Sequence, residues 1–229
     1  DRNITNQKKL KKLKIKKFDG DANNIDFFIL CVKPKDALSA YKEILNIKKD
    51  PKIISFVAGI KSKKYLKINK NVKFLRAMPN TSSRFDLGIT ALFNCSFQKT
   101  DMSLIKNLFK RFSKVIELNN ELKMDQFTGL VGSGPAYFFY LLKVYEKELL
   151  KMCNGNKYEV NAIMTNLLEG VSQSLKVNDD LDDLIKMVAS KKGTTEAGLK
   201  SFSINKIDKI FEDGLKKAIK RSKEISNEY

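Results

Sequence analysis

Met124-Asp-Gln-Phe-Thr-Gly-Leu-Val-Gly-Ser-Gly-Pro-Ala-Tyr137 divides the sequence into two kinds of text. Before it stand short apolar runs separated by turn residues. After it, almost every segment carries helical periodicity. Gly132, Gly134 and Pro135 sit in an otherwise helix-favouring neighbourhood. An interior glycine costs about 1 kcal/mol and an interior proline about 3. Their concentration points to close backbone approach or to a helix start, with a plain loop between helices as the simpler alternative.

Upstream of this stretch, Ile25 to Val32 is a nearly continuous apolar run ended by Lys33-Pro34. Its length and its β-branched and aromatic content fit a strand covered on both faces, as in a parallel sheet. Asp36 can cap the following helix, whose apolar positions are Leu38, Tyr41, Ile44 and Leu45. Further strands are expected at Lys52–Val57, Val72–Met78, Gly88–Cys95 and Lys114–Leu118. Short helices are expected at Ile60–Leu66 and Met102–Phe112. Strands alternating with helices at this spacing argue an open α/β sheet. An initial helix is expected to use Ile4, Leu10 and Leu13 as its apolar side, with Lys8 to Lys17 mostly on a wet face rather than serving as a nuclear-targeting signal. In open sheets ligands sit beyond the carboxyl ends of the strands. Here those ends are Val32-Lys33-Pro34, Ala58-Gly59 and Met78 to Thr81. The G-x-G-x-x-G turn of a dinucleotide-binding first strand is absent from the sequence. Either the fold is not a dinucleotide fold or that strand lies upstream of Asp1.

Downstream, helices are expected at Met124–Leu130, Ala136–Cys153, Tyr158–Leu175, Asp179–Val188 and Ile204–Ile225. The second of these is apolar on most sides, which predicts burial in a core or between subunits rather than an aromatic cofactor box. Ser190, Thr194 and Thr195 cluster in a glycine-containing turn where packing demands no hydroxyls. They could cap the next helix or hold a ligand.

Composition narrows the chemistry. The chain of 229 residues has 42% hydrophobic content, enough for a packed core, and no apolar run long enough to span a bilayer. It has no histidine, which removes Ser-His-Asp and Cys-His nucleophilic systems and every His-ligated metal site; no metal site is expected. Cys31, Cys95 and Cys153 have neither metal nor disulfide spacing, and a reducing, cytoplasmic compartment is expected. The net charge of +18 comes mostly from scattered lysine. Arginine-led base contacts and interleaved aromatics are missing, so no nucleic-acid partner is expected.

Four stretches together resemble the pyrroline-5-carboxylate reductase family: Cys31-Val-Lys-Pro34, Arg76-Ala-Met-Pro-Asn-Thr81, Gly132-Ser-Gly-Pro-Ala-Tyr137 and Ser190-Lys-Lys-Gly-Thr-Thr-Glu-Ala-Gly-Leu199. The resemblance implies a Rossmann-like dinucleotide-binding domain over residues 1–120, lacking its first strand and Gly-rich turn. An all-α dimerisation domain would follow over residues 121–229. It implies NADPH or NADH as cofactor, a small-molecule imine acid as substrate, and a homodimer or ring of dimers. It places Arg2 near the adenosine ribose or its 2'-phosphate, and Val32, Lys33, Pro34, Phe56, Val57, Ala58, Asn80 and Thr81 along the cofactor. It makes Ser190, Gly193, Thr194 and Thr195 the substrate loop, with Thr195 near the imine nitrogen. It also brings Gly132 to Tyr137, as a hinge, near that loop of the other subunit.

The sequence departs from the family at Lys191 and Lys192, which replace a proline and a glycine and could change the shape of the loop. Without the glycine-rich turn, residues 1–229 alone are expected to hold cofactor weakly. A related imine or β-hydroxyacid reductase, and a degenerate non-catalytic oligomeric scaffold, are the competing readings.

Overall fold

The computed structural model describes residues 4–16, 18 and 20–228. Its five strands are β1 (Phe28–Leu30), β2 (Lys52–Ser55), β3 (Lys73–Pro79), β4 (Gly88–Asn94) and β5 (Ser113–Glu117). They lie side by side in chain order. β1, β2 and β3 are mutually parallel. β4 runs antiparallel to β3 and parallel to β5. The sheet is therefore mixed, and the carboxyl ends of the first three strands share one edge.

Helices cover both faces. On one side α2 (Ala37–Ile47) and α3 (Ser62–Leu66) bury Ala37, Tyr41 and Tyr65 against Leu30, Ile53 and Phe74. On the other, α4 (Lys99–Phe109) buries Met102, Ile105 and Phe109 against Ile54, Leu75 and Leu92. Each fully buried Ile, Leu or Phe contributes about 1.5–3 kcal/mol. Covering on both faces accounts for the continuous apolar runs of β2 and β3. β1 is shorter than its apolar run suggested, because only three of its residues pair with β2. Asp36 does not cap α2 through its side chain. It closes a short 3-10 turn begun by Pro34, whose ring presets φ there. The first helix, α1 (Ile4–Lys12), packs weakly: Leu13, expected on its apolar side, is 70% exposed.

The stretch that opened the sequence reading is not a loop between helices. Residues of α5 (Lys123–Phe127) pass into a π turn at Thr128–Gly132 and then into α6 (Gly134–Met152). The π turn widens the helix without breaking it, and Pro135 stands in the first turn of α6, where its missing N–H is harmless. The close approach is at Gly129. A Cβ there would lie 2.8 Å from the backbone nitrogen of Ile219 in α10 (Ile207–Glu228). A Cβ on Gly132 would meet only Thr128 Cγ2, at 3.9 Å, and one on Gly134 would meet nothing in the chain.

The remaining helices are α7 (Lys157–Val177), α8 (Leu181–Val188) and α9 (Thr194–Ile204). α9 follows the Ser190–Thr195 turn, and the last helix, expected from residue 204, is α10, which begins at Ile207. The aromatic surface of α6 is uncovered within the chain: Phe138, Phe139, Tyr140 and Tyr145 are exposed, as are Val171, Met187 and Val188 on the next two helices. That is far more apolar surface than a lone domain leaves to water.

α10 closes the molecule. It returns from the helical body and packs on α5, the π turn and the loop after β2. Buried Asp125 accepts hydrogen bonds from Ser222 Oγ (3.0 Å) and Ser226 Oγ (3.1 Å) of this helix. A buried carboxylate needs such donors, and two serines one helical turn apart present them on one face.

Candidate functional site

Register aligns the strand ends. Leu30 pairs with Ser55, and Ser55 with Arg76. The ladder runs one step further through Phe56 N–H, which donates to the Leu30 carbonyl at 2.9 Å. The chain leaves β1 and β2 side by side, so Cys31–Val32 and Phe56–Val57 emerge at the same edge as Ala77–Met78. The sequence-predicted positions Val32, Lys33, Pro34, Phe56, Val57, Ala58, Asn80 and Thr81 all gather at this edge. Arg2 lies outside the described residues.

Their side chains are not equally available. Val32, Lys33 and Thr81 are exposed, and Pro34 and Ala58 are partly buried. Phe56 turns its ring toward the core, 5.9 Å from Phe109, and Val57 is buried with the residues of α2 and α3. Only the main chain of Phe56 and Val57 can therefore serve a ligand. Asn80 spends its side-chain oxygen on Ile89 N–H, at 3.0 Å. This bond and Asn80 N–H to Ile89 carbonyl (3.1 Å) hold the turn after β3 to β4.

After β2 the chain reverses through Gly59, whose φ of +77° is left-handed. None of the gathered positions 31–34, 56–59 or 79–81 carries a carboxylate. An anionic dinucleotide laid along them meets main-chain groups and Lys33, with no like charge. The residues fit such a cofactor in kind.

The second set, Ser190 to Thr195, forms the start of α9. Gly193 occupies the cap position, and its N–H donates to the Ser190 carbonyl at 3.0 Å. A Cβ on Gly193 would displace the Ser190 hydroxyl and stand 3.0 Å from the Ser190 carbonyl oxygen, so a side chain there would crowd the turn. Lys192 adopts φ +61°, and its N–H donates to Glu196 Oε2 at 2.6 Å. The replacement of glycine at this position is thus absorbed by forcing a lysine into left-handed backbone, not by opening the turn. The hydroxyls of Thr194 and Thr195 make no side-chain cap; they stand in the first turn beside free N–H groups. Thr195, partly buried, adjoins an apolar groove of about 450 Å³ between α7, α8 and α9, lined by Leu175, Ile185, Val188 and Leu199.

The structure brings each set together internally, and within one chain no hydrogen bond among the described residues joins the two. Among the described residues there is also no cluster of metal-ligating side chains, and no helix is long and apolar enough to cross a membrane.

One group at the strand ends escaped the sequence reading. Arg76, in mid-strand and 2% exposed, donates to Glu121 Oε1 at 2.8 Å. The same oxygen accepts Ser62 N–H at 2.7 Å, and Oε2 accepts Ser62 Oγ at 2.8 Å. The signal was an arginine inside the otherwise apolar run from Phe74 to Met78. A cation there requires a buried partner, whose identity the sequence does not disclose. Cys95 borders this group, and burial, ahead of its charged neighbours, pushes its thiol up to about 11.

Comparisons with known proteins agree with this arrangement. Residues 121–225 match the family described as pyrroline-5-carboxylate reductase dimerisation. A pyrroline-5-carboxylate reductase of Staphylococcus epidermidis is 31% identical over 217 residues, covering 92% of this chain and 79% of that protein. One from Staphylococcus aureus is 34% identical over 208 residues, covering 88% and 75%. The solved structure of a pyrroline-5-carboxylate reductase from Coxiella burnetii superposes with a TM-score of 0.84 at 26% identity, covering 99% of this chain and 87% of that one. A Plasmodium falciparum pyrroline carboxylate reductase solved with NADP bound shares the fold, with a TM-score of 0.79 at 24% identity over 88% of this chain and 77% of that one.

A sheet whose strand ends are free of like charge, joined to a helical body with an uncovered apolar face, fits the dinucleotide-binding oxidoreductases, whose ligands lie at that edge. Within that class the relatives are specific. The chain belongs to the pyrroline-5-carboxylate reductase family.

Proposed function

We propose that this protein reduces the ring imine of 1-pyrroline-5-carboxylate to L-proline with NADPH or NADH. The observation that carries the reading is the pairing of two features in one chain. One is a strand-end row suited to a dinucleotide. The other is a helix-start turn, Ser190–Thr195, suited to a small carboxylate. Relatives at 31% and 34% identity that bear the reductase name support it.

The cofactor, when bound, supplies a hydride to the imine carbon. The chain's own task is to hold two molecules in near-attack geometry, since a protonated imine is already electrophilic. Main-chain groups at 31–33, 56–58 and 79–81 would hold the dinucleotide. The free N–H groups at the start of α9, with the hydroxyls of Ser190, Thr194 and Thr195, would hold the substrate carboxylate and ring. Lys191 and Lys192 add positive charge beside that turn. Thr195 would keep a hydroxyl near the ring nitrogen, which retains its proton as the C=N bond becomes C–N. No histidine is needed at any step.

Because no hydrogen bond among the described residues joins the two sets within one chain, we infer that each site is completed by a second copy. The dimerisation family match over 121–225 and the bare aromatic face of α6 support self-association, as a homodimer or a ring of dimers. The unpaired cysteines fit a reducing, cytoplasmic setting. The test follows NADPH and NADH oxidation at 340 nm with 1-pyrroline-5-carboxylate, for the parent protein and Thr195→Ala. The variant should lose turnover by about 10²- to 10⁴-fold, the usual range for a positioned proton-handling group, while melting at the parent temperature. A parent inactive with both cofactors refutes the activity, and an unchanged variant rate removes Thr195 from the site.

A further inference from the structure

The loop joining β2 to α3, residues 56–62, carries three of the positions assigned to the cofactor. It is held at its far end by the helical half of the molecule. Glu121 stands at the head of α5. Its two carboxylate oxygens grip Ser62 at two points: Oε1 accepts the main-chain N–H at 2.7 Å and Oε2 accepts the hydroxyl at 2.8 Å. Arg76 holds the same carboxylate from beneath, within β3. Between these anchors Gly59 lies under α10. A Cβ there would come within 2.5 Å of Ile225 Cγ2 and 3.3 Å of the Ile225 carbonyl carbon.

Stability alone does not account for this arrangement. A buried ion pair is often matched or bettered by apolar side chains of similar volume. Phe74 and Leu75 before Arg76, and Ala77 and Met78 after it, are apolar, and an apolar residue there would suit the sheet. What the charged pair supplies, and an apolar pair cannot, is a two-point attachment that fixes both the position and the rotation of Ser62.

We propose that Glu121, braced by Arg76, is a positioning residue for the cofactor. By gripping Ser62 it fixes the 56–62 loop, and so transmits the placement of the helical domain to the edge where the dinucleotide lies. The inference rests on the assignment of that edge to NADPH or NADH. Neither Glu121 nor Arg76 needs to touch the cofactor.

The test uses the full-length protein and two variants. Arg76→Met/Glu121→Met removes both charges together, so no unpaired ion is left in the sheet, and it should remain folded. Ser62→Ala removes one of the two grips and leaves the ion pair in place. In the double variant the KM for NADPH should rise about tenfold, while the KM for 1-pyrroline-5-carboxylate, held by the α9 turn, stays within about twofold. Ser62→Ala should raise the cofactor KM by about two- to threefold. A purely structural role would move both KM values together or neither.

Hydrogen exchange gives a readout independent of turnover. NADPH should slow exchange across the 56–62 amides in the parent, and that slowing should shrink at least threefold in the double variant. Equal slowing in both proteins, or none in the parent, overturns the inference. So does a folded double variant with parental cofactor KM. Should the double variant fail to fold, Ser62→Ala carries the same comparison. A parent that slows exchange with NADPH yet reduces no 1-pyrroline-5-carboxylate sinks the substrate assignment alone.

Discussion

Replacing Gly129 by alanine sets a small entropic gain against a larger packing loss. In an ordinary helix interior the change should help, by about 0.5–1 kcal/mol, because alanine loses less backbone entropy than glycine. Gly129 is not in an ordinary interior. Its new Cβ would stand 2.8 Å from the backbone nitrogen of Ile219, 2.9 Å from its Cγ1 and 3.0 Å from its Cα. Two of those atoms are main chain and cannot rotate away. Normal contact begins near about 3.5 Å, so α10 must retreat by roughly 0.7 Å there. The bonds from Ser222 and Ser226 to buried Asp125, now 3.0 and 3.1 Å, would lengthen beyond useful range. Overpacking costs about 1–3 kcal/mol, and a weakened buried carboxylate about as much again. The net expectation is a loss of about 1–5.5 kcal/mol. For a chain of this size, at about 2–4 °C per kcal/mol, that corresponds to a fall in Tm of about 2–22 °C.

The control is Gly214→Ala, mid-way along α10, where a Cβ meets nothing. It should raise Tm by about 1–4 °C. Differential scanning calorimetry of both variants decides the matter. A third variant sharpens the cause: Ser222→Ala should cost about 1 kcal/mol in the parent but almost nothing once Gly129 is alanine, because the bond is already lost. Gly129→Ala melting at or above the parent temperature would refute the close-contact argument.

Two other outcomes follow from the local geometry. Lys192→Gly should stabilise the protein by about 0.5–1 kcal/mol, since it relieves a lysine held at φ +61° while keeping the N–H that Glu196 accepts; a lower melting temperature would show that the lysine side chain contributes more than its backbone strain removes. Cys95 predicts an alkaline weakness. Its thiol titrates near 9 when unfolded and near 11 when folded, so the unfolded chain releases its proton first and stability falls as pH rises from about 9 to about 11. The loss is about 2–3 kcal/mol at most. Urea titrations at pH 8 and pH 10.5 should show a smaller drop for Cys95→Ala than for the parent, with the remaining slope including Tyr41, whose buried phenol is pushed up to about 12.

The sheet was legible because burial on both faces writes itself as continuous apolar runs. Each of the five strands lies within one residue of a predicted run, shortened where pairing stops, as at Val32 and at Phe56–Val57. Apolar content could not say where pairing ends, since a buried residue after the last ladder bond looks the same. The Ser190–Thr195 turn was legible from its residue types. Its shape was not, because nothing in a lysine codon announces that Lys192 will take left-handed backbone. The glycines of the opening stretch show the same limit. Gly132 and Gly134 stood out by sequence crowding, whereas the contact that excludes a side chain is at Gly129 and comes from Ile219, ninety residues further along.

By itself, then, the sequence determined the alternation of strands and helices, the absence of histidine chemistry and the family resemblance, since periodicity, composition and motif are local properties. The tertiary structure alone decided which charges meet. Arg76, Glu121 and Ser62 are scattered through three segments, and Asp125 lies far in sequence from Ser222 and Ser226 of α10; only folding brings such donors within reach of those carboxylates. It also showed that Met124–Tyr137 passes through a π turn and a bend at Ser133 into α6, and is not a plain loop between helices. Long-range packing set that outcome: α10 lies close enough that the turn accommodates it at the one residue without a side chain.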